Sequence, residues 1–306
     1  MKIEKKIQES YVPRHLKKEI VIVQEMQKPD RQSGMKRLKF IPLIVLSVFV
    51  VLTYFVKESF ISDDQNSEDN IDPMPAEYRN VWLENKSINP DYVGQIIFDS
   101  GLIDLPFVQA KDVYDENGNT YVFYTAEGDL VTNVDEYTGN DVYIWKNWKT
   151  GAYDRYEEGG SVFMDYRNSL DDWNLIIYGH HFARDYDPSG SKQFTPMDLL
   201  LEEENYDKSS SLKLILDNEI RTYEICSVAI LDARDEEQLE LVKTDLDYDL
   251  EFQDYVDLIA ELSLYDTGKQ IQENDSLLTL ITCIEHQPEL RQAVICRELS
   301  RKEYSD

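Results

Sequence analysis

The chain has 306 residues and a net charge of −29, from 31 Lys/Arg against 60 Asp/Glu. That balance argues against nucleic acid as a partner, and the length supports one sizeable core with a short appendage. The three cysteines, Cys226, Cys283 and Cys296, are too few for a disulfide framework, so an exported domain must be held by its own core. The odd count leaves one bridge and a free thiol, or three free thiols.

The charge is unevenly spread. Residues 1–39 hold eleven Lys/Arg against five Asp/Glu, a balance of +6, which leaves −35 on the rest. Between these regimes, Phe40 to Val56 form a run of seventeen residues with no charge, flanked by Lys36, Arg37, Lys39 and Lys57. About 17–25 apolar residues span a bilayer, so a single transmembrane helix is expected over 40–56. A buried core helix is disfavoured because the run lacks any polar face. The basic leader is long for the n-region of a signal peptide and no small-x-small site follows promptly, so the anchor is expected to stay uncleaved. The positive-inside rule then puts 1–39 in the cytoplasm and the acidic bulk outside the cell. Residues 57–74 are acidic and polar and read as a solvated linker. The globular domain is expected over 75–306.

That domain opens with a short amphipathic helix over Pro75–Glu84, presenting Tyr78, Val81 and Trp82 on one face. Strands are expected at Val93–Phe98, Tyr121–Thr125, Val142–Trp148, Val162–Tyr166, Leu175–Tyr178, Leu212–Leu216, Thr222–Leu231, Leu277–Cys283 and Ala293–Leu299. All are rich in β-branched and aromatic residues and are separated by turn signals such as Asn117-Gly118, Gly128, Gly159-Gly160 and Asp217-Asn218. Many short strands with turns point to a closed barrel or a sandwich. One late helix is expected where Phe252, Tyr255, Val256, Ile259 and Leu262 recur at helical spacing. Asp247, Asp249 and Glu251 lie at its start and Gly268 supplies an end signal. Asp115-Glu-Asn-Gly-Asn119 resembles a calcium loop only superficially: Thr120 and Ala126 stand where the EF-hand needs Gly and Glu, so a turn is expected. The other acidic clusters lack metal-ligand spacing, and neither a metal nor a cofactor is called for.

Three side chains carry chemistry. Cys283 ends the apolar run Leu277-Leu-Thr-Leu-Ile-Thr-Cys and a polar loop follows at once, whereas Cys226 and Cys296 sit inside apolar runs as small hydrophobes do. His180 follows Gly179 at the end of Asn174–Tyr178, where an imidazole serves as general acid and base, or simply sits on a surface turn. Arg291 precedes the strand Ala293–Leu299. If that strand neighbours the one ending at Cys283, its cation can stabilise an oxyanion; otherwise it pairs with Glu285 or Glu289.

The order Tyr-Gly-His180, Thr-Leu-Ile-Thr-Cys283 and Arg291-Gln-Ala-Val-Ile resembles the sortases, cysteine transpeptidases of Gram-positive surfaces. Asn89-Pro-Asp-Tyr-Val-Gly-Gln-Ile96 and Gly160-Ser-Val-Phe-Met-Asp-Tyr-Arg-Asn-Ser169 resemble class B segments, and the likeness covers roughly residues 75–300. It implies a mostly β fold: a closed eight-stranded sortase-type barrel with an N-terminal helix and a helix between late strands, preceded by the anchor. It implies catalytic His180, Cys283 and Arg291, with Thr282 and His181 lining the substrate. The family often has Asn at the position of His181, so either ring can be the catalytic one; the position directly after Gly favours His180. The segment 115–158 is longer and more irregular than the family pattern. The implied reaction is cleavage of a C-terminal sorting motif on exported proteins through a Cys thioester, with transfer to a cell-wall peptide amine or a pilin lysine. Two other readings share these residues: a membrane-anchored cysteine peptidase with water as acceptor, and a non-enzymatic wall-binding module.

Overall fold

The computed structural model describes residues 71–245 and 252–305. The expected anchor at 40–56, the linker up to residue 70 and the acidic residues 247–251 lie outside the described residues. Among the described residues, no helix is long and apolar enough to cross a membrane.

Eight strands close into a barrel. They are β1 (Tyr92–Phe98), β2 (Asp104–Val108), β3 (Phe163–Met164), β4 (Asn174–Tyr178), β5 (Ser211–Ile215), β6 (Glu219–Asp232), β7 (Leu277–Ile284) and β8 (Gln287–Glu303). Their order around the barrel is β1-β2-β3-β4-β7-β8-β6-β5, and antiparallel pairing of β5 with β1 completes the circuit. The central pair β4/β7 is parallel, and β7/β8 form an antiparallel hairpin.

Alternation along each strand decides the core, because successive side chains point to opposite faces. The barrel interior takes Ile96 and Phe98 from β1, Phe107 from β2, Met164 from β3, Leu175 and Ile177 from β4, and Leu278 and Leu280 from β7, with the remaining strands contributing in the same way. The opposite faces of β4, β6, β7 and β8 (Ile176, Leu231, Leu277, Ile281, Ala293) meet Tyr255 and Ile259 of a helix at Phe252–Leu262. This is the expected helix between late strands, and its amphipathic spacing is satisfied by packing on the barrel. Gly268 is not its cap: the helix ends at Leu262, and Ser263 closes it by donating its backbone N–H and its hydroxyl to the Ile259 carbonyl.

The first helix, α1, spans Ala76–Ile88, longer than expected. Trp82 turns inward and its indole N–H donates to the Val93 carbonyl, but Val81 faces solvent at 41% exposure. A strand the sequence pattern does not announce is β2, where Pro106 interrupts the β-branched run yet pairs with Gln95.

The expected strands Tyr121–Thr125 and Val142–Trp148 do not form. The segment between β2 and β3 is a chain of tight turns joined by single bridges at Tyr114/Thr120, Tyr124/Leu130 and Lys146/Tyr153. Its aromatic and β-branched residues read as strand because they are buried: Val113, Phe123, Val142, Tyr143 and Trp148 build a separate small core against Tyr92 and Phe163. The Asp115 carboxylate accepts from the backbone N–H groups of Asn117 and Asn119, so this loop is the expected turn.

Candidate active site

The chemistry-bearing residues converge at one end of the β4/β7/β8 sheet. Parallel register sets Tyr178 beside Ile281. Beyond it, the Gly179 N–H donates to the Ile281 carbonyl at 3.1 Å, and the Thr282 hydroxyl donates to the Gly179 carbonyl at 2.8 Å. His180 follows Gly179, and Cys283 follows Thr282, directly beyond this strapped pair. Thr282, expected to line the peptide pocket, is instead 2% exposed with its hydroxyl committed to Gly179. It straps the end of β4 to β7 one residue before His180 and Cys283.

Cys283 lies directly across the hairpin from Arg291. A cross-strand pair shares one face of the sheet, so both project from the outer face that also carries Ile281 and Ala293. A bulge follows Cys283, and the turn at Glu285-His286, with His286 at φ 61°, closes the hairpin. The Arg291 guanidinium bends back on this hairpin: Nη1 donates to the carbonyls of Pro288 (2.7 Å) and Leu290 (2.9 Å). Nε and Nη2 make no hydrogen bond among the described residues. Cys283 is half-buried, whereas Cys226 and Cys296 are buried, as their apolar settings foretold. Burial pushes the Cys226 thiol up to about 11 and holds Cys296 well above the ordinary thiol value. Neither can serve as a thiolate nucleophile.

His180 is held by the segment whose strands the sequence misjudged. Its Nε2 lies 2.9 Å from the Ile144 carbonyl, and its ring stacks on Trp145 at 4.6 Å between centroids and 27° between planes. Phe182 meets the ring edge-on. A carbonyl can only accept, so Nε2 carries the proton and Nδ1 keeps its lone pair. Burial lowers the imidazole pKa and the Ile144 hydrogen bond only partly offsets this, so the ring is neutral near pH 7. The His180 backbone N–H donates to Oε1 of Gln193, whose amide nitrogen donates in turn to the carbonyls of Glu158 and Gly159.

The two segments that carry the family likeness support this arrangement without entering it. Asn89 donates to the Tyr143 hydroxyl (2.9 Å) and to the Trp148 carbonyl (3.0 Å), while the Tyr143 hydroxyl donates to Asp91 (2.8 Å). Asn-Pro-Asp therefore fixes the residues flanking Ile144 and Trp145. In Met-Asp-Tyr-Arg-Asn, Asp165 is fully buried and accepts from Arg167, Asn140 and the Tyr178 hydroxyl. Asn168 accepts from the Ile176 N–H and donates to the Asn174 carbonyl, clamping β4.

His181 points elsewhere. Its Nε2 lies 2.9 and 3.0 Å from the two carboxylate oxygens of Asp198, on a 3-10 helix at Thr195–Leu201, and its side chain is 2% exposed. A cavity of about 320 Å³ opens beside Cys283, bounded by His181, Ala183, Glu285, His286 and Pro288. His180 does not border it. Trp145, Gln193 and Asp198 had no signal in the sequence, because each acts through contacts made only by folding.

Comparison with known proteins bears on the sequence and on the barrel. No family model matches the chain. Sortase B of Listeria monocytogenes is 23% identical over 210 residues, covering 68% of this chain and 69% of that protein. Sortase B of Staphylococcus aureus is 20% identical over 276 residues, covering 85% and 96%. Among solved structures, Clostridium perfringens sortase B superposes with a TM-score of 0.54 at 26% identity, over 71% of this chain and 99% of that one. Staphylococcus aureus sortase B gives 0.54 at 19% identity, over 85% and 99%. In sequence and in its eight-stranded barrel, the chain is a class B sortase-like protein.

Proposed function

We propose that the chain is a cysteine transpeptidase of the sortase type, with Cys283 as nucleophile, His180 as proton carrier and Arg291 as oxyanion partner. The observation that carries this reading is the cross-strand pairing of Cys283 with Arg291 at the end of β7, whose neighbour β4 is followed by Gly179 and His180 and strapped to it by Thr282.

In the first half-reaction the Cys283 sulfur bonds to the carbonyl carbon of the scissile amide, and the thiol proton moves to Nδ1 of His180. The carbonyl oxygen becomes an oxyanion facing Nε and Nη2 of Arg291, so that the cation is matched to charge that exists only in the transition state. The C–N bond then breaks, its electron pair stays on nitrogen, and His180 returns the proton to that nitrogen. A thioester remains. A neutral His180 suits this sequence, since it must first accept the thiol proton. An amine then displaces the sulfur and forms the new amide.

The donor in this reading is an exported protein with a C-terminal sorting motif, and the acceptor is a cell-wall peptide amine or a pilin lysine. The apolar run 40–56 is proposed to anchor the enzyme by a single pass, with residues 1–39 in the cytoplasm and the barrel outside the cell, lifted by the acidic residues 57–74. The test is incubation of the protein with a pool of sorting-motif peptides and mass spectrometry of Cys283. An adduct of acyl mass on Cys283, discharged by added hydroxylamine, is expected. Release of hydrolysed peptide with no effect of amine sinks the transpeptidase reading in favour of a peptidase.

A further inference from the structure

The paired histidines diverge, and the mechanism proposed above uses only one of them. His180 is held by Trp145, Phe182 and the Ile144 carbonyl and is not among the residues that line the cavity beside Cys283. His181 does border that cavity, as does Glu285. Its Nε2 is directed at both oxygens of Asp198, so in the neutral ring Nε2 carries the proton and Nδ1 holds the lone pair. Nδ1 makes no hydrogen bond among the described residues.

The position of Asp198 is built rather than incidental. Its helix is tied to β8 by Gln292, next to Arg291, whose amide nitrogen donates to the Met197 carbonyl at 2.8 Å. The same helix is tied to the histidine segment by the Phe182 N–H, which donates to the Thr195 hydroxyl at 2.9 Å. An imidazole with one N–H held by a fixed carboxylate is the arrangement that orients a general base and stabilises the imidazolium it becomes. Glu285 adds negative charge to the wall where a cationic amine would arrive.

We infer that His181, oriented by Asp198, is the base for the acceptor amine, leaving His180 to serve acylation; this rests on the transpeptidase reading above. The amine, having shed one proton to solvent, bonds through its lone pair to the thioester carbonyl. A second proton passes from that nitrogen to Nδ1 of His181. The C–S bond breaks, its electron pair leaves with the Cys283 sulfur, and the proton on His181 passes to that sulfur, restoring the thiol.

The test compares the wild type, His181→Gln, Asp198→Asn and Asp198→Glu on the same peptide pool. It follows the Cys283 acyl-enzyme and its transfer to triglycine or to hydroxylamine, a weakly basic amine whose nitrogen, once bonded to the carbonyl carbon, gives up its second proton to water more readily. His181→Gln is expected to accumulate acyl-enzyme and to transfer to triglycine at least tenfold more slowly, with a smaller loss toward hydroxylamine. Asp198→Asn follows in the same direction, and Asp198→Glu, which keeps the carboxylate, recovers transfer with wild-type melting behaviour. Unchanged transfer to triglycine in His181→Gln overturns the assignment, as does loss of acyl-enzyme formation along with transfer. If the wild type itself forms no acyl-enzyme, the transpeptidase reading falls and takes this inference with it.

Discussion

His180 donates through Nε2 to the carbonyl of Ile144 and lies flat against Trp145. Burial under these groups favours the neutral imidazole, so its pKa lies below the ordinary 6.5. Trp145→Ala lets water reach the ring and removes that bias. The folded pKa then rises toward 6.5, and the acid limb of acyl-enzyme formation moves to higher pH, because the proton-accepting form is lost earlier as pH falls. In the wild type that limb lies below 6.5. A rate-versus-pH profile of Cys283 acylation measures both positions; superimposable profiles would remove Trp145 from this role.

Gly160 stands at φ +72°, and a Cβ built there would lie 1.9 Å from the Ile144 carbonyl oxygen. Gly160→Ala must therefore displace the acceptor that holds His180, on top of a backbone penalty of about 1–3 kcal/mol. Acylation is expected to fall by more than the loss of folded protein explains. Denaturant unfolding beside single-turnover acylation separates the two; an activity loss that tracks stability alone would reduce Gly160 to a turn residue.

Arg291 meets Cys283 across the hairpin with its Nη1 anchored on carbonyls of its own turn. Removing an oxyanion donor costs roughly 10²–10³ in rate, so Arg291→Gln should lower the acylation rate by that order while the fold is retained. Arg291→Lys keeps the charge but not the fork, because one ammonium cannot hold the hairpin and reach the oxyanion together. A substantial deficit in the lysine variant is expected as well. Full activity of Arg291→Lys in a kcat/KM comparison would show that charge alone suffices.

How much of this was legible in the sequence follows from what each residue contacts. Cys283, His180 and Arg291 end or begin apolar runs, and the strand period carries their position. The barrel strands β1, β4, β5 and β7 were placed to within a residue or two, β1 and β5 through alternation and β4 and β7 as short apolar runs buried on both faces. β2 was hidden because Pro106 breaks its pattern, although a proline there costs only one ladder donor. Tyr121–Thr125 and Val142–Trp148 misled for the opposite reason. Their burial is real, but it is supplied by aromatic packing between turns, and burial alone does not distinguish a strand from a buried loop. The supports of the two histidines were invisible: a carbonyl has no sequence signature, and Gln193 (for His180) and Asp198 (for His181) acquire their partners only when segments 13 to 17 residues apart fold back.

Asp165 links the clamp on β4 to the site, since it accepts from the hydroxyl of Tyr178, two residues before His180. It is fully buried, and burial alone would raise its carboxyl. Hydrogen bonds from the Arg167 side chain and backbone and from Asn140 outweigh that and hold it below the ordinary 3.8. A carboxylate whose folded pKa is depressed contributes stability that is fully present above its unfolded pKa and is lost as pH falls through the folded value. Stability from this group should therefore be complete above about pH 4 and decline below it. Asp165→Asn removes the charge and strands part of this network; since Arg167 is half exposed and can rehydrate, a loss of roughly 2–4 kcal/mol is expected at pH 7. The gap between wild type and variant should narrow at pH 3, below the ordinary 3.8, where the carboxylate of the unfolded wild-type chain is already taking up protons. Urea unfolding of both proteins at the two pH values measures this, and an equal gap at pH 7 and pH 3 would show that the carboxylate charge is not what holds β4 in place.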